Sequence, residues 1–216
     1  MSSTTNRGSS IARKIWMSLT GLFLITFLIV HLAVNLLTLS SDPELFNEAS
    51  HFMATNILIQ VMQYVLALGF IIHIASGIRI ELQNRAARPE KYAFNRPGEN
   101  SDWNSRNMIM TGVLVMIFLV LHLRDYFWEL KFGDMGGYAN DYELVVNLFD
   151  AWYYTLIYVI AFIMLAFHLN HGFQSAFQSI GVNHPKYTPW IKLLGKLYSY
   201  IVPGGFALIA IYHFLF

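Results

Sequence analysis

Four histidines carry the chemistry this sequence suggests. His31, His73, His122 and His168 fall one each in four long, almost uncharged stretches of the 216-residue chain, and His171 shares the last of these with His168. A single histidine in lipid often does no more than bond a neighbouring helix. Four, distributed one per stretch, point to a site, because ionisable side chains are costly in a membrane and mark ligand positions or relays. Paired imidazoles suit axial ligation of a haem iron from both faces of the macrocycle. Structural zinc would want four nitrogen or sulfur ligands, which two histidines with no cysteine or nearby carboxylate do not supply. The chain has no cysteine. Disulfides, cysteine-ligated iron–sulfur clusters and thioether attachment of a haem are therefore excluded.

The surroundings of these histidines repeat. Met17, Thr20 and Gly21 precede His31-Leu32 as Met108, Thr111 and Gly112 precede His122-Leu123, so MxxTGx9HL occurs twice with an offset of 91 residues. His73 is followed by Gly77 and His168 by Gly172, giving HxxxG twice. Glycine and histidine at such spacings also serve close helix packing, but the double repeat favours a site at the interface of two related halves. Gly77 and Gly172, one turn after their histidines, would remove side-chain bulk on the same face and make room for a flat porphyrin.

Membrane helices must position these residues. Hydrophobic residues make up 56% of the chain and charged ones 12%, against about a quarter charged in soluble domains. A soluble two-domain enzyme and a disordered chain are excluded. Five stretches, at roughly 15–39, 57–78, 108–128, 152–174 and 193–216, are each long enough for a hydrocarbon core that needs about 20 apolar residues. The expected fold is an all-α integral membrane protein, one domain over 1–216, with five transmembrane helices of which the first four form a haem-binding bundle. In the third stretch Tyr126, Phe127 and Trp128 extend the helix past Arg124 as an interfacial belt. The first stretch is too long for a signal-peptide core and reads as a retained helix. The fifth has only His213, assigned to packing.

Loop charges set the orientation. Arg7, Arg13, Lys14, Arg79, Arg85, Arg88, Lys91, Arg96, Arg106, Lys186, Lys192 and Lys196 fall on one side. The other side holds Arg124 and Lys131 with Asp42, Glu44, Glu48, Asp125, Glu129, Asp134, Asp141, Glu143 and Asp150. By the positive-inside rule the N-terminus is cytoplasmic and the C-terminus outside. The long connection from Arg79 to Arg106, with prolines at 89 and 97, reads as a topology signal and also as a docking surface for soluble partners. Helices 1 and 3 run outward, which sets His31 and His122 toward the outer face; helices 2 and 4 run inward, which sets His73 and His168 toward the inner face. His73 is about 9 Å from Arg79 along its helix and His31 about 12 Å from Leu39. In a core about 30 Å thick the two levels stand on the order of 10 Å apart, giving two stacked sites of two histidines each.

The chain resembles a known family on three segments: Ser10-Ile11-Ala12-Arg13-Lys14 leading into MSLTG and His31-Leu32, SRNMIMTG with His122-Leu123, and HLNHGFQSAFQSIG in the fourth stretch. That family is the single-chain, five-helix, di-haem cytochrome b membrane anchor of succinate dehydrogenases and fumarate reductases. The resemblance implies two haems b, a cytoplasmic-membrane location, and a complex with a flavoprotein that carries the dicarboxylate site and an iron–sulfur protein that feeds electrons inward. It implies His31 and His122 as ligands of the outer, distal haem and His73 and His168 as ligands of the inner one. Between the two histidines of the fourth stretch, the HxxxG spacing shared with His73 selects His168, and Ser76 stands where His171 would correspond. His171 then lines the pocket or meets a propionate. Arg79 pairs with a propionate or anchors the inner edge.

The family also implies a low-potential quinone, such as menaquinone, near the distal haem. Glu48, His51 and Asn56 could exchange protons or hydrogen bonds with it, a solvated loop or helix cap being the more ordinary role of each. One departure concerns protons: Ile163 to Phe167 holds no carboxylate, where some di-haem fumarate reductases are thought to conduct protons through a glutamate. Coupling to the proton motive force follows more readily without that route. Cytochromes b of hydrogenases or formate dehydrogenases share the chemistry, and a small transporter would share repeated helices and buried histidines. The order of ligands and the MxxTG repeat favour the succinate family, and no acidic residue stands in the middle of a stretch to serve a transporter.

Overall fold

The structure is a computed structural model that describes residues 7–86 and 106–216, with side chains from Ile11 onward. The side chain of Arg7, and Arg88, Pro89, Lys91, Arg96 and Pro97 of the basic connection, lie outside the described residues. Every described element is helical: α1 (Arg7–Asn35), α2 (Glu44–Thr55), α3 (Ile57–Ala86), α4 (Met108–His122), α5 (Asp141–Val146), α6 (Trp152–Ser179) and α7 (Thr188–Leu215). Short 3-10 turns join several of them, and α4 runs on through a π-helical stretch, Leu123–Trp128, into a last turn at Glu129–Lys131.

Five helices are long and apolar enough to cross a membrane: Ile11–Leu39, Ile57–Ala86, Met108–Lys131, Trp152–Ser179 and Thr188–Leu215. Only 6% of the apolar window of α3 is buried, with Ile57, Leu58 and Tyr64 among its exposed large side chains. A contiguous apolar face of that kind suits lipid and not water. The helices outrun their apolar stretches, since hydrogen bonding continues where hydropathy stops. Past Arg79, α3 is supported by an i,i+4 pair in which Arg85 Nε stands 2.7 Å from Glu81 Oε1. α7 starts at Thr188, with Pro189 in its first turn where a missing N–H costs nothing.

α1 packs between α3, α6 and α7, α4 packs on α6, and α6 shares its longest interface with α7. The fifth span therefore belongs to the core of the bundle: Val202, Phe206, Ile209 and Ala210 of α7 are buried with Leu32, Phe149, Tyr158 and Phe162. The chain meets itself again at one end. Tyr142 N donates to Asn47 Oδ1 at 3.0 Å, Ser50 Oγ donates to Asp141 Oδ2, and Phe46 packs edge-on to Tyr142. Thr38 Oγ1 donates to the Asn35 carbonyl and so accepts from His213 Nε2 at 3.1 Å. These contacts gather α2, α5 and the last turn of α7 into a cap at what its side chains make the acidic end, opposite a basic end bearing Arg13, Lys14, Arg79, Arg85, Arg106 and Lys186.

Candidate functional site

Each half of the repeat is a hairpin of two spans, α1 with α3 and α4 with α6, and each contributes one histidine to each of two levels. Toward the acidic end His31 and His122 stand with ring centres 5.7 Å apart and planes at 84°. Toward the basic end His73 and His168 stand 6.4 Å apart at 76°. Two imidazoles on opposite sides of one metal ion, each bonded at about 2.0 Å, would have centres roughly 6 Å apart.

Within each hairpin the MxxTG motif holds the basic-end histidine of its own partner helix. A Cβ at Gly21 would lie 3.3 Å from His73 Cε1, and one at Gly112 would lie 3.3 Å from His168 Cε1. The methionines work in the other direction: Met17 Cε stands 3.4 Å from where Gly77 would carry a Cβ, and Met108 Cε 3.5 Å from that of Gly172. The room at Gly77 and Gly172 thus faces methionine side chains, and it is Gly21 and Gly112 that clear space for imidazole edges. The sequence showed the motif but not this role, because glycine and histidine lie 52 and 56 residues apart on different helices.

Thr20 adds a second restraint. Its hydroxyl is placed to donate to the Trp16 carbonyl at 2.9 Å or to that of Met17 at 3.0 Å, and lies 3.3 Å from His73 Nδ1. With its one hydrogen so used, Thr20 accepts from an Nδ1–H, which leaves Nε2 of His73 with a free lone pair. His31 Nδ1 lies 3.4 Å from Asn35 Nδ2, which donates to the His31 carbonyl at 2.8 Å. His122 and His168 each bury an Nδ1 with no hydrogen-bond partner among the described residues. Buried polar nitrogens are seldom left so, and since among the described residues no three of His, Cys, Asp or Glu gather to hold a metal ion, the two imidazole pairs suit a haem iron better than a closed zinc site.

Aromatic rings enclose the acidic-end pair. Phe27 stacks on His31 at 5.3 Å and Phe206 of α7 lies 5.4 Å from it, while Phe118 and Tyr126 lie 5.7 and 5.2 Å from His122. His171 is half-buried one turn beyond His168, and Arg79 is exposed at the basic end. Glu48 and His51 are exposed on α2, one helical turn apart. Asn56 is engaged as a cap, its Oδ1 accepting from Leu58 N at 3.0 Å and Ile59 N at 3.3 Å. Asp125, counted by sequence among the acidic connections, is buried inside the third span. No protein-family profile, curated protein or solved structure matches the chain.

Proposed function

We propose that the chain is the di-haem cytochrome b membrane anchor of a succinate:quinone oxidoreductase, of the succinate dehydrogenase and fumarate reductase family. One observation carries the reading: four histidines meet in two pairs at two depths, each pair drawing one imidazole from each half of an internal repeat. His31 and His122 would hold one haem b, and His73 and His168 the other. Haem bound there supplies one-electron transfer, with a potential set by its axial ligands and burial. The chain's own residues do the rest. Thr20 orients His73, Gly21 and Gly112 admit the imidazole edges of the basic-end pair, and Phe27, Phe206, Phe118 and Tyr126 wall the acidic-end pair with apolar rings.

In this reading the basic end is cytoplasmic and docks the iron–sulfur protein, which is itself joined to the flavoprotein that handles the dicarboxylate. His73 and His168 would hold the haem that takes up electrons from that partner, and His31 and His122 the haem that passes them to a membrane quinone, menaquinone by the family's habit. Glu48 and His51 on α2 supply polar groups to its oxygens.

A dithionite-reduced minus oxidised visible spectrum of the purified protein tests the proposal. Two low-spin b-type components are expected. His31→Ala and His122→Ala should remove one component and His73→Ala and His168→Ala the other, since a six-coordinate bis-imidazole iron loses its low-spin state with either ligand. Haem content unchanged in all four variants would overturn the proposal. Retention of both components in His168→Ala, with loss of one in His171→Ala, would reassign the ligand on α6. Co-purifying subunits separate a succinate oxidoreductase from a hydrogenase or formate dehydrogenase.

A further inference from the structure

The third span buries a carboxylate that the histidine pairs do not use. Asp125 lies in the π-helical stretch that begins directly after His122, and its side chain is only 4% exposed. Tyr158 of α6, itself 2% exposed, donates its O–H to Asp125 Oδ2 at 3.0 Å. Arg124 Nη1 lies 3.6 Å from Oδ1, and the Arg124 side chain is 70% exposed. Tyr126 packs 5.2 Å from His122 and 6.2 Å from Tyr158, with its hydroxyl donating to the Val145 carbonyl at 3.3 Å. The ring of Tyr158 is 6.3 Å from that of His122.

A buried carboxylate needs strong partners to stay charged, and this one has a neutral hydroxyl and a cation that reaches out toward solvent. Ionisable groups within membrane spans are retained for function more often than for stability. π-helical turns cluster at functional sites because they re-aim side chains. Here the stretch sets Asp125 against Tyr158, whose ring stands 6.3 Å from that of His122, with Arg124 as its link to the acidic-end surface. The charged and titratable groups around it are Arg124 and Tyr126 on its own helix, Tyr158 on α6, and His122 with His31 beyond it.

We infer that Asp125, held by Tyr158, is the proton-exchange group of the acidic-end redox level. The inference rests on the proposed function. When the haem that His31 and His122 would hold gains one electron, one proton from water at the Arg124 edge would form an O–H bond on the Asp125 carboxylate. Both leave when the electron is passed on. Neutralising the carboxylate offsets the added negative charge in a medium that screens it poorly. No other bond is made or broken.

Redox titrations of the haem-loaded complex over a series of pH values, followed in the visible spectrum, test this. The component lost in His122→Ala should shift its midpoint potential by about 59 mV for each tenfold change in proton concentration, the one-electron equivalent of a factor of ten. Asp125→Asn keeps the shape and the acceptor for Tyr158 and should flatten that dependence. The component lost in His73→Ala should not respond to Asp125→Asn. Tyr158→Phe should alter the pH dependence of that same component and leave the other unchanged, because the carboxylate loses its donor; it decides the matter if Asp125→Asn fails to assemble. A slope that survives Asp125→Asn, or one indifferent to Tyr158→Phe, overturns the inference. A pH-independent potential with both haems in place overturns it alone, whereas a chain that takes up no haem overturns the proposed function as well.

Discussion

A methyl group at Gly21 would stand 3.3 Å from His73 Cε1, and one at Gly112 equally close to His168 Cε1. At that separation the imidazole must yield by a few tenths of an ångström, while the helix gains up to about 1 kcal/mol from replacing glycine by alanine. The two effects oppose each other in stability but not at the ligand. On the proposed reading, Gly21→Ala and Gly112→Ala are therefore expected to melt within a few degrees of the parent and to perturb the same haem, the one that His73→Ala would remove. Low-temperature difference spectra or electron paramagnetic resonance of the two variants check this; opposite components affected would break the equivalence of the repeats. Spacing alone decides a face of a helix, and His168, chosen on its HxxxG spacing, has its ring 6.4 Å from that of His73. A role was not legible where it depends on a partner tens of residues away. Thr20, Gly21 and Gly112 were visible as a motif, but nothing local says that they clasp a histidine. Asp125 was counted with the charges of the outer side although the third stretch was carried to 128, because a carboxylate beside Arg124 reads as interfacial; the helix runs on to Lys131 and the Asp125 side chain is buried.

At the scale of elements, α7 shows what hydropathy leaves out. Its apolar run marks a membrane span, but Pro203-Gly204-Gly205 in its middle marks a close crossing with α1. Pro203 removes a backbone donor from the helix interior, and Gly205 lets Leu32 Cδ1 and Cδ2 approach to 3.0 Å of the place a Cβ would fill. Leu32 follows His31, and the next residue of α7, Phe206, lies against the His31 ring. Two consecutive residues of α7 thus fix two consecutive residues of α1. Gly205→Val would overpack this crossing, a change that typically costs about 1–3 kcal/mol. The expected outcome is a lower melting temperature together with a perturbed spectrum for the His31/His122 component and an unchanged one for the His73/His168 component. A uniform loss of both haems would mean that α7 only holds the bundle together. The same reasoning separates the two kinds of connection. α5 begins at the N-cap Asn140, whose Oδ1 accepts from Glu143 N at 3.0 Å, while Glu143 Oε2 accepts from Ala139 N at 3.1 Å. Its docking against α2 is a contact across 95 residues, from Tyr142 to Asn47, and no local pattern encodes it.

For the whole molecule, five spans and a double repeat follow from composition and spacing, so the architecture was the most legible part of the sequence; the cap and the packing of α7 needed coordinates. On the proposed reading, the orientation set by the loop charges also gives the repeat a direction. Each hairpin carries one histidine near the acidic end and one near the basic end, so the two levels form a relay along the membrane normal on the proposed reading. Electrons entering from a cytoplasmic partner at the basic end move toward the acidic end, and Asp125 takes its proton from that same side. Negative charge going outward and positive charge coming inward are electrically equivalent, and together they move about one charge per electron across the dielectric. With the cytoplasm negative, the membrane potential favours both movements by about 2.3 kcal/mol per charge at 100 mV. Between Ile163 and Phe167 α6 holds no carboxylate, where some di-haem fumarate reductases are thought to carry a compensating proton route. Succinate oxidation by the membrane quinone is thus expected to slow several-fold when an uncoupler collapses the potential. Oxidation by a soluble acceptor that draws electrons from the iron–sulfur partner should keep its rate, because those electrons never enter the relay. Rates of both reactions in sealed, energised vesicles before and after uncoupling make the comparison. Undiminished quinone reduction after uncoupling would place the quinone at the basic end and reduce the second haem level to a dead end, contrary to the direction that the paired hairpins give it.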